Sequence, residues 1–393
     1  MLKCIGLMAI ALGMLASPCI AMAAAPPAEP DIDAVIEDLC FKRVVMLGED
    51  SGHGAGATVA MKGRIMAALV ERCGFDTIYF ESPVYDFLDF EERLAARDAS
   101  PALLGDAVGA IWTGTREFEP TLRWLWAQVT AGHVRVRGLD IQTGGVTQHF
   151  SANTLPRRLA AHAGAQRDAC EDQLGRLTRW EFDASNRYDD AFRERLRRCL
   201  TDIEQVLATS DAEVDRASHR MAVGLRSSLA LEDGPGFNLR DKAMAQNFMW
   251  HHARTPGERA ILWTSTRHAV KATLPDHPER ISLGMHLQEH FGDLLASIGF
   301  SAKRGEHGRP SRKPVSIAND ADALEHRDRG TGYLDRARLQ QIGDIASSVV
   351  AYRQPQHADW SALLDGIVLL PVETPLHALD ATGPASPGTS PPM

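Results

Sequence analysis

The sequence predicts an α/β fold: a mostly parallel central sheet flanked by helices, with an inserted helical subdomain. Three observations carry the expectation. Short apolar runs that read as buried strands alternate with amphipathic stretches, the pattern of a parallel, helix-covered sheet. Between residues 142 and 235 the strand signals vanish and Arg, Asp and Glu spread over long helical stretches, the texture of an insertion able to act as a lid. With 393 residues, 44% of them hydrophobic, the chain has ample length for a large core.

Element by element, "DIDAVIEDLC" predicts a short helix, with apolar spacing at Ile32, Val35, Ile36 and Leu39. "RVVML" predicts a buried strand. "ATVAMKGRIMAALVERCGF" predicts an amphipathic helix stopped at Cys73-Gly74, glycine being the common terminator. "DTIYFES" is a second strand, followed by helical "PVYDFLDFEERLAARD" and "PALLGDAVGAIW". "EFEPTLRWLWAQVTAG" is a helix and "HVRVRGLD" a third strand. Past the insertion, "NLRDKAMAQNFMWHHAR" is a helix and "RAILWTSTRH" a fourth strand. "SLGMHLQEHFGDLLASIGF" reads as a glycine-containing loop and then a helix. "DGIVLLPVETP" is a fifth strand, placed at an edge because Pro371 interrupts it.

Residues 1–23 have the form of a secretory signal peptide: Lys3, an apolar stretch, Pro18, and a small-x-small site at Ala21-Met22-Ala23. The expected mature domain covers residues 24–379, periplasmic or secreted, and residues 380–393 form a Pro/Gly/Ser-rich tail expected to be disordered. No later segment is long and apolar enough to span a bilayer, so no membrane partner is expected after cleavage. A net charge of -9, with no run of like charge, argues against nucleic acid as a partner. Cys40, Cys73, Cys170 and Cys199 remain after cleavage, an even number in an oxidising compartment. Cys40 precedes the first strand and Cys73 ends the helix that runs back beside it. Cys170 and Cys199 lie on two helical stretches that would pair antiparallel. The predicted bridges are therefore Cys40–Cys73 and Cys170–Cys199.

In parallel sheets ligands bind outside the carboxyl ends of the strands. The first strand ends at Gly48-Glu49 with His53 close behind; the second ends at Glu81 and the third at Asp140. The fourth runs out through Thr264, Ser265 and Thr266 into Arg267 and His268. A histidine flanked by carboxylates suits general base catalysis on water. A second histidine or a cation suits an oxyanion or a leaving group. The same residues suit a divalent metal equally. There is no H-E-x-x-H, no C-x-x-C, no G-x-S-x-G and no P-loop.

These segments, in this order, resemble the erythromycin esterase family. The family's G-E-x-x-H-G loop is similar to Gly48-Glu49…His53-Gly54, followed by Lys62, Gly74-Phe75 and Glu81. Its Trp, Glu and G-x-D segments are similar to Trp112, Glu119 and Gly138-Leu139-Asp140; its R…MA-N helix to Arg240, Met244-Ala245 and Asn247; its W-x-H-N-x-H strand end to Trp263…His268. "DGIVLLPVETPLHAL" is similar to the family's last strand. The resemblance, spanning Val44 to Leu379, implies hydrolysis of a macrolide-type lactone or other small-molecule ester by a histidine-activated water, without a cofactor or bound metal. It implies His53 as the general base, Glu81 as its orienting or stabilising carboxylate, and Glu49 and His268 as further catalytic candidates. Lys62, Asp140, Ser265 and Arg267 are the candidate substrate-binding residues. The chain departs from the pattern at three points: the loop is one residue longer between Glu49 and His53, the acid after the histidine falls at Ala57, and Ser265-Thr266 replace an H-N pair. A metal-dependent hydrolase and a non-catalytic ligand-binding protein on the same fold are the alternative readings.

Overall fold

The computed structural model describes residues 29–379, apart from 144–148, 233–234, 311, 328–329 and 331. The expected signal peptide and C-terminal tail lie outside the described residues. A seven-stranded sheet forms the centre. Its first five strands are β1 (Val44–Glu49), β2 (Thr77–Pro83), β3 (Arg135–Asp140), β4 (Ala260–Ser265) and β5 (Leu295–Ala302). The spatial order is β3-β2-β4-β1-β5, followed by Gly366–Leu370 and Tyr333–Asp335. All neighbours pair parallel except the last two, which are antiparallel. The sheet thus places the carboxyl ends of β1, β2, β3 and β4 on one edge, and Glu49 lies in register with Ser265.

Every residue of β1, β2 and β4 is buried, so these strands read as continuous apolar runs rather than alternating ones. Alternation survives in which core each side chain enters. Val45, Leu47, Ile261 and Trp263 pack on one face with α2 (Gly56–Cys73), through Val59 and Met66. Val44, Met46 and Leu262 pack on the other with the Gly236–Arg254 helix, through Met244 and Phe248. Between β3 and β4 the secondary structure of the described residues is helical, and it builds a core of its own. Leu174, Leu200, Ile203 and Met221 meet there with Val84 and Leu88 of α3 (Val84–Ala95).

Two expectations need correction. "LASIGFSA" is strand β5, not helix, and it lies between β1 and Gly366–Leu370. Its small residues carry little strand signal, yet they are what the position demands: a Cβ on Gly299 would stand 2.5 Å from Val349 and 2.8 Å from Leu364. The last strand is not an edge strand. Pro371 falls just past its end at Leu370, where its missing N–H removes no ladder bond, and Tyr333–Asp335 forms the edge instead.

The disulfides pair as expected. Cys40–Cys73 ties the loop before β1 to the end of α2, with Cα atoms 5.1 Å apart. Cys170–Cys199 joins the Arg167–Arg179 and Asp190–Leu207 helices, with Cα atoms 5.9 Å apart. Arg259 donates to the carbonyls of both Cys40 and Cys73, fixing the first bridge to the start of β4. The Cys40–Cys73 bridge closes a loop with a sequence separation of 33 residues. Replacing both cysteines with serine is expected to lower unfolding stability by about 3–4 kcal/mol. Urea unfolding midpoints measure this, and an unchanged midpoint would contradict it.

Candidate active site

The site starts where β1 runs out. Glu49 is fully buried, so its carboxylate must find partners inside the protein. Three elements supply them. His53 Nδ1 lies 2.8 Å from Oε1, Trp112 Nε1 donates to the same oxygen at 2.8 Å, and Lys62 Nζ donates to Oε2 at 3.0 Å. Lys62 projects from α2 and is itself fully buried. It also donates to the Thr264 carbonyl at 3.2 Å and stands 4.1 Å over the Trp263 ring, a cation–π contact. Trp112 packs edge-on against the His53 ring, with centroids 5.6 Å apart.

The histidine loop is held tightly. Asp50 accepts from Gly52 N and from Tyr352 N, each at 3.0 Å, and the Gly54 carbonyl accepts from Gly308 N at 2.8 Å. His53 sits at φ +50, a left-handed conformation uncommon outside glycine. The ring–Glu49 bond and the surrounding loop bonds hold it there. A carboxylate at Nδ1 makes that nitrogen the donor. Nε2 has no protein partner among the described residues, and 14% of the side chain is exposed.

A second network is built on Glu81. Its Oε2 accepts from the Thr264 hydroxyl at 2.8 Å and from Ser265 N at 2.9 Å. Its Oε1 takes Arg240 at 3.0 Å and His268 Nε2 at 3.2 Å. His268 Nδ1 meets Asp241 at 2.8 Å, and Arg240 makes a forked pair with Asp140, the closest contact being 2.7 Å. Arg240 Nη1 also lies 3.1 Å from His268 Nε2, so the Glu81 oxygen stands against both. Thr264 links the two networks, its carbonyl to Lys62 and its hydroxyl to Glu81.

The electrostatics follow from this pairing. Burial pushes the Glu49 carboxyl up, but Lys62 and His53 outweigh it and hold it below its ordinary value. Burial likewise opposes ionisation of Glu81, yet His268 and then Arg240 keep it well below the usual carboxylate range. Burial draws Lys62 down to about 8 against the pull of Glu49. Burial would also lower His268, but Asp241 and Glu81 override it and raise it to about 9. Across the linked networks four carboxylates (Glu49, Glu81, Asp140 and Asp241) face three cations (Lys62, Arg240 and His268).

Most of the expected residues come together: Glu49, His53, Lys62, Glu81, Asp140 and His268 all belong to the linked networks. Ser265 takes part through its backbone N–H. Arg267 points elsewhere, its Nη1 standing 3.7 Å from Asp276. Glu119 does not join the site; it pairs with Arg123 at 3.2 Å on an exposed helix start. Arg240 and Trp112 were legible only as parts of matched segments, and Asp241 carried no signal beyond lying next to Arg240. Position 57 carries no acid, but an acid from far along the chain reaches the same turn. Glu373 accepts from Ala57 N at 2.7 Å and from the Thr58 hydroxyl at 2.6 Å, capping α2. Burial raises Glu373 to about 7. Among the described residues, no three His, Cys, Asp or Glu side chains converge as a metal site.

A mostly parallel sheet that presents a carboxylate-pinned histidine and a second, doubly paired histidine at its carboxyl edge defines an α/β protein with a buried cluster of ionisable groups where such sheets bind ligands. The family model for erythromycin esterase matches residues 70–361, and the chain belongs to that family. The match includes Glu81, Trp112, Asp140, Arg240 and His268; the loop with Glu49 and His53 precedes it. Among solved structures, a Bacillus cereus protein is 17% identical, with TM-score 0.69, covering 89% of this chain and 93% of its own. A succinoglycan biosynthesis protein is 15% identical, with TM-score 0.67, covering 88% and 92%. A histidine-to-asparagine variant of the erythromycin esterase EreC, in its open conformation, is 15% identical with TM-score 0.62, covering 87% and 93%. These likenesses establish the fold. No curated protein sequence matches the chain.

The raised His268 value has a testable consequence for stability. A group whose folded pKa exceeds its unfolded value stabilises fully below the unfolded value, and that contribution is lost as pH rises through the folded one. For His268 the window runs from 6.5 to about 9, with a full size of about 3 kcal/mol. Urea unfolding of wild type and His268→Asn across this window should show a steeper loss with rising pH in the wild type. Parallel curves would contradict the charged, doubly paired ring.

Proposed function

We propose that this protein is an exported hydrolase that cleaves an ester or lactone bond with a water activated by His53. One observation carries the reading: Glu49 pins Nδ1 of a partly exposed histidine while Nε2 is left without a protein partner among the described residues. In the proposed reaction Nε2 takes a proton from water as the water oxygen bonds to the carbonyl carbon. The resulting oxyanion faces Arg240, whose side chain is 21% exposed and is the most open of the three cations. Collapse breaks the carbon–oxygen bond, and the leaving alkoxide takes the proton back from the imidazolium. The products are a carboxylic acid and an alcohol, and His53 is regenerated.

Glu81 and His268 act behind this step: they hold Arg240 and the end of β4 in place. Membership of the erythromycin esterase family supports a macrolide-type lactone or related small-molecule ester as substrate. The two disulfides support an oxidising, periplasmic or extracellular location. No described helix is long and apolar enough to cross a membrane.

Hydrolysis of a panel of nitrophenyl esters and macrocyclic lactones, by purified wild type and His53→Ala, tests the proposal. The variant should lose about 10²–10⁴-fold in kcat, and chelator should leave the wild type unchanged. Equal turnover in the variant, or no turnover of any ester by folded wild type, would contradict it. Loss of activity to chelator would favour the metal-dependent reading.

A further inference from the structure

A second feature lies against the back of the His268 network. The Phe237 ring stacks on the His268 ring, with centroids 5.2 Å apart and planes 6° from parallel. The Arg280 guanidinium lies 5.0 Å from the centre of the same Phe237 ring. Beside them is a small cleft lined by Phe237, Arg267, Arg280, Val270, Leu274 and Ser282. Its walls are apolar and aromatic, and its charged lining is two arginines.

Neither arginine is well paired. Arg267 is only 14% exposed at the side chain, and its Nη1 is buried without a hydrogen-bond partner. The acid it meets, Asp276, is 3.7 Å away, outside hydrogen-bond range. Arg280 has its Nε 4.0 Å from Glu279, whose side chain is largely exposed. Burial pulls the Arg267 guanidinium below its ordinary value, with Asp276 opposing and Arg280 adding to the pull. Asp276 and Glu279 offset the two cations only from 3.7 and 4.0 Å, which leaves room for a closer anion to complete them. Arginine's planar fork suits the oxygens of a carboxylate or phosphate.

The geometry points to a subsite at Arg267 and Arg280 for an oxyanion group carried by the substrate, a carboxylate or a phosphate next to an apolar or aromatic portion. The inference rests on the hydrolase reading of the adjoining site and deepens it: the preferred ester is an anionic one. Arg267 lies two residues past the end of β4 and precedes His268, so the subsite and the Glu81 network share the short Thr266–Ala269 helix.

Calorimetric titration of the full protein with benzoate, phenyl phosphate and benzyl alcohol tests the subsite without requiring turnover. The two anions should bind and the alcohol should not. Arg280→Gln and Arg267→Gln should each weaken anion binding by about tenfold, the value of one lost charge-assisted bond. Arg280 is 32% exposed, so its variant is expected to fold as the wild type, which a circular dichroism melt checks. The tighter of the two anions tells which class of substrate the cleft serves. With esters, kcat/KM for the nitrophenyl ester of hemiglutarate should exceed that for the pentanoate, and Arg280→Gln should erase the preference. Equal binding of anions and alcohol, or unchanged anion affinity in both variants, would overturn the subsite. Anion binding together with no hydrolysis of any ester would instead overturn the hydrolase reading and leave the subsite standing.

Discussion

The buried carboxylate of Glu49 is the constraint on which the rest of the site depends. A carboxylate with no water around it costs several kcal/mol unless its oxygens are filled. Here the filling groups come from the loop after β1, from α2 and from the Ala110–Thr113 turn of helix. Each donor is therefore placed by a different element, and each element is fixed in turn by the acid they share. Lys62 is tolerable in the core because Glu49, the Thr264 carbonyl and the Trp263 ring surround it. His53 holds its left-handed backbone because its ring is anchored there.

The two histidines differ because their surroundings differ. His268 faces carboxylates from both ring nitrogens and is held as a cation. His53 pairs with a carboxylate through one nitrogen and, among the described residues, with none through the other. The asymmetry leaves a doubly paired, cationic ring at one strand end and a singly paired, partly exposed ring at the neighbouring one. The positions where Ser265 and Thr266 replace the family's H-N pair are occupied structurally. Ser265 gives its N–H to Glu81, and the Thr266 hydroxyl gives its proton to the Gly48 carbonyl at 2.7 Å. The approach is close enough that a Cβ on Gly48 would stand 2.7 Å from the Thr266 Cα. The ends of β1 and β4 are thus locked together beneath both networks.

How far the sequence revealed this depended on whether a signal was local. β1, β2 and β4 were legible as apolar runs closed by an acid or a polar cluster, and β3 as a shorter alternation of valine and arginine closed by Asp140; Glu49, His53, Glu81, Asp140 and His268 fall at those closures. β5 was not, because its Ala, Ser and Gly residues answer to Val349 and Leu364, neighbours remote in sequence. The last strand was misplaced because Pro371 was weighed without knowing where the ladder stops. Glu373 could not be linked to Ala57 by spacing, since 316 positions separate them. Asp241 sits in the second turn of a helix and acquires its role from His268 and from the Leu283 N–H that it also accepts. The cysteine pairing was legible because both bridges join adjacent elements.

The claim that Glu49 fixes the tautomer of His53 is the one on which the mechanism stands. Long-range nitrogen–proton NMR correlation of the imidazole rings, at mildly alkaline pH and with His53 assigned by substitution, reads it directly. The account predicts a proton on Nδ1 and a lone pair on Nε2, lost to a tautomer mixture in Glu49→Gln. A proton on Nε2 in the wild type would turn the ring's basic nitrogen toward Glu49 and contradict it.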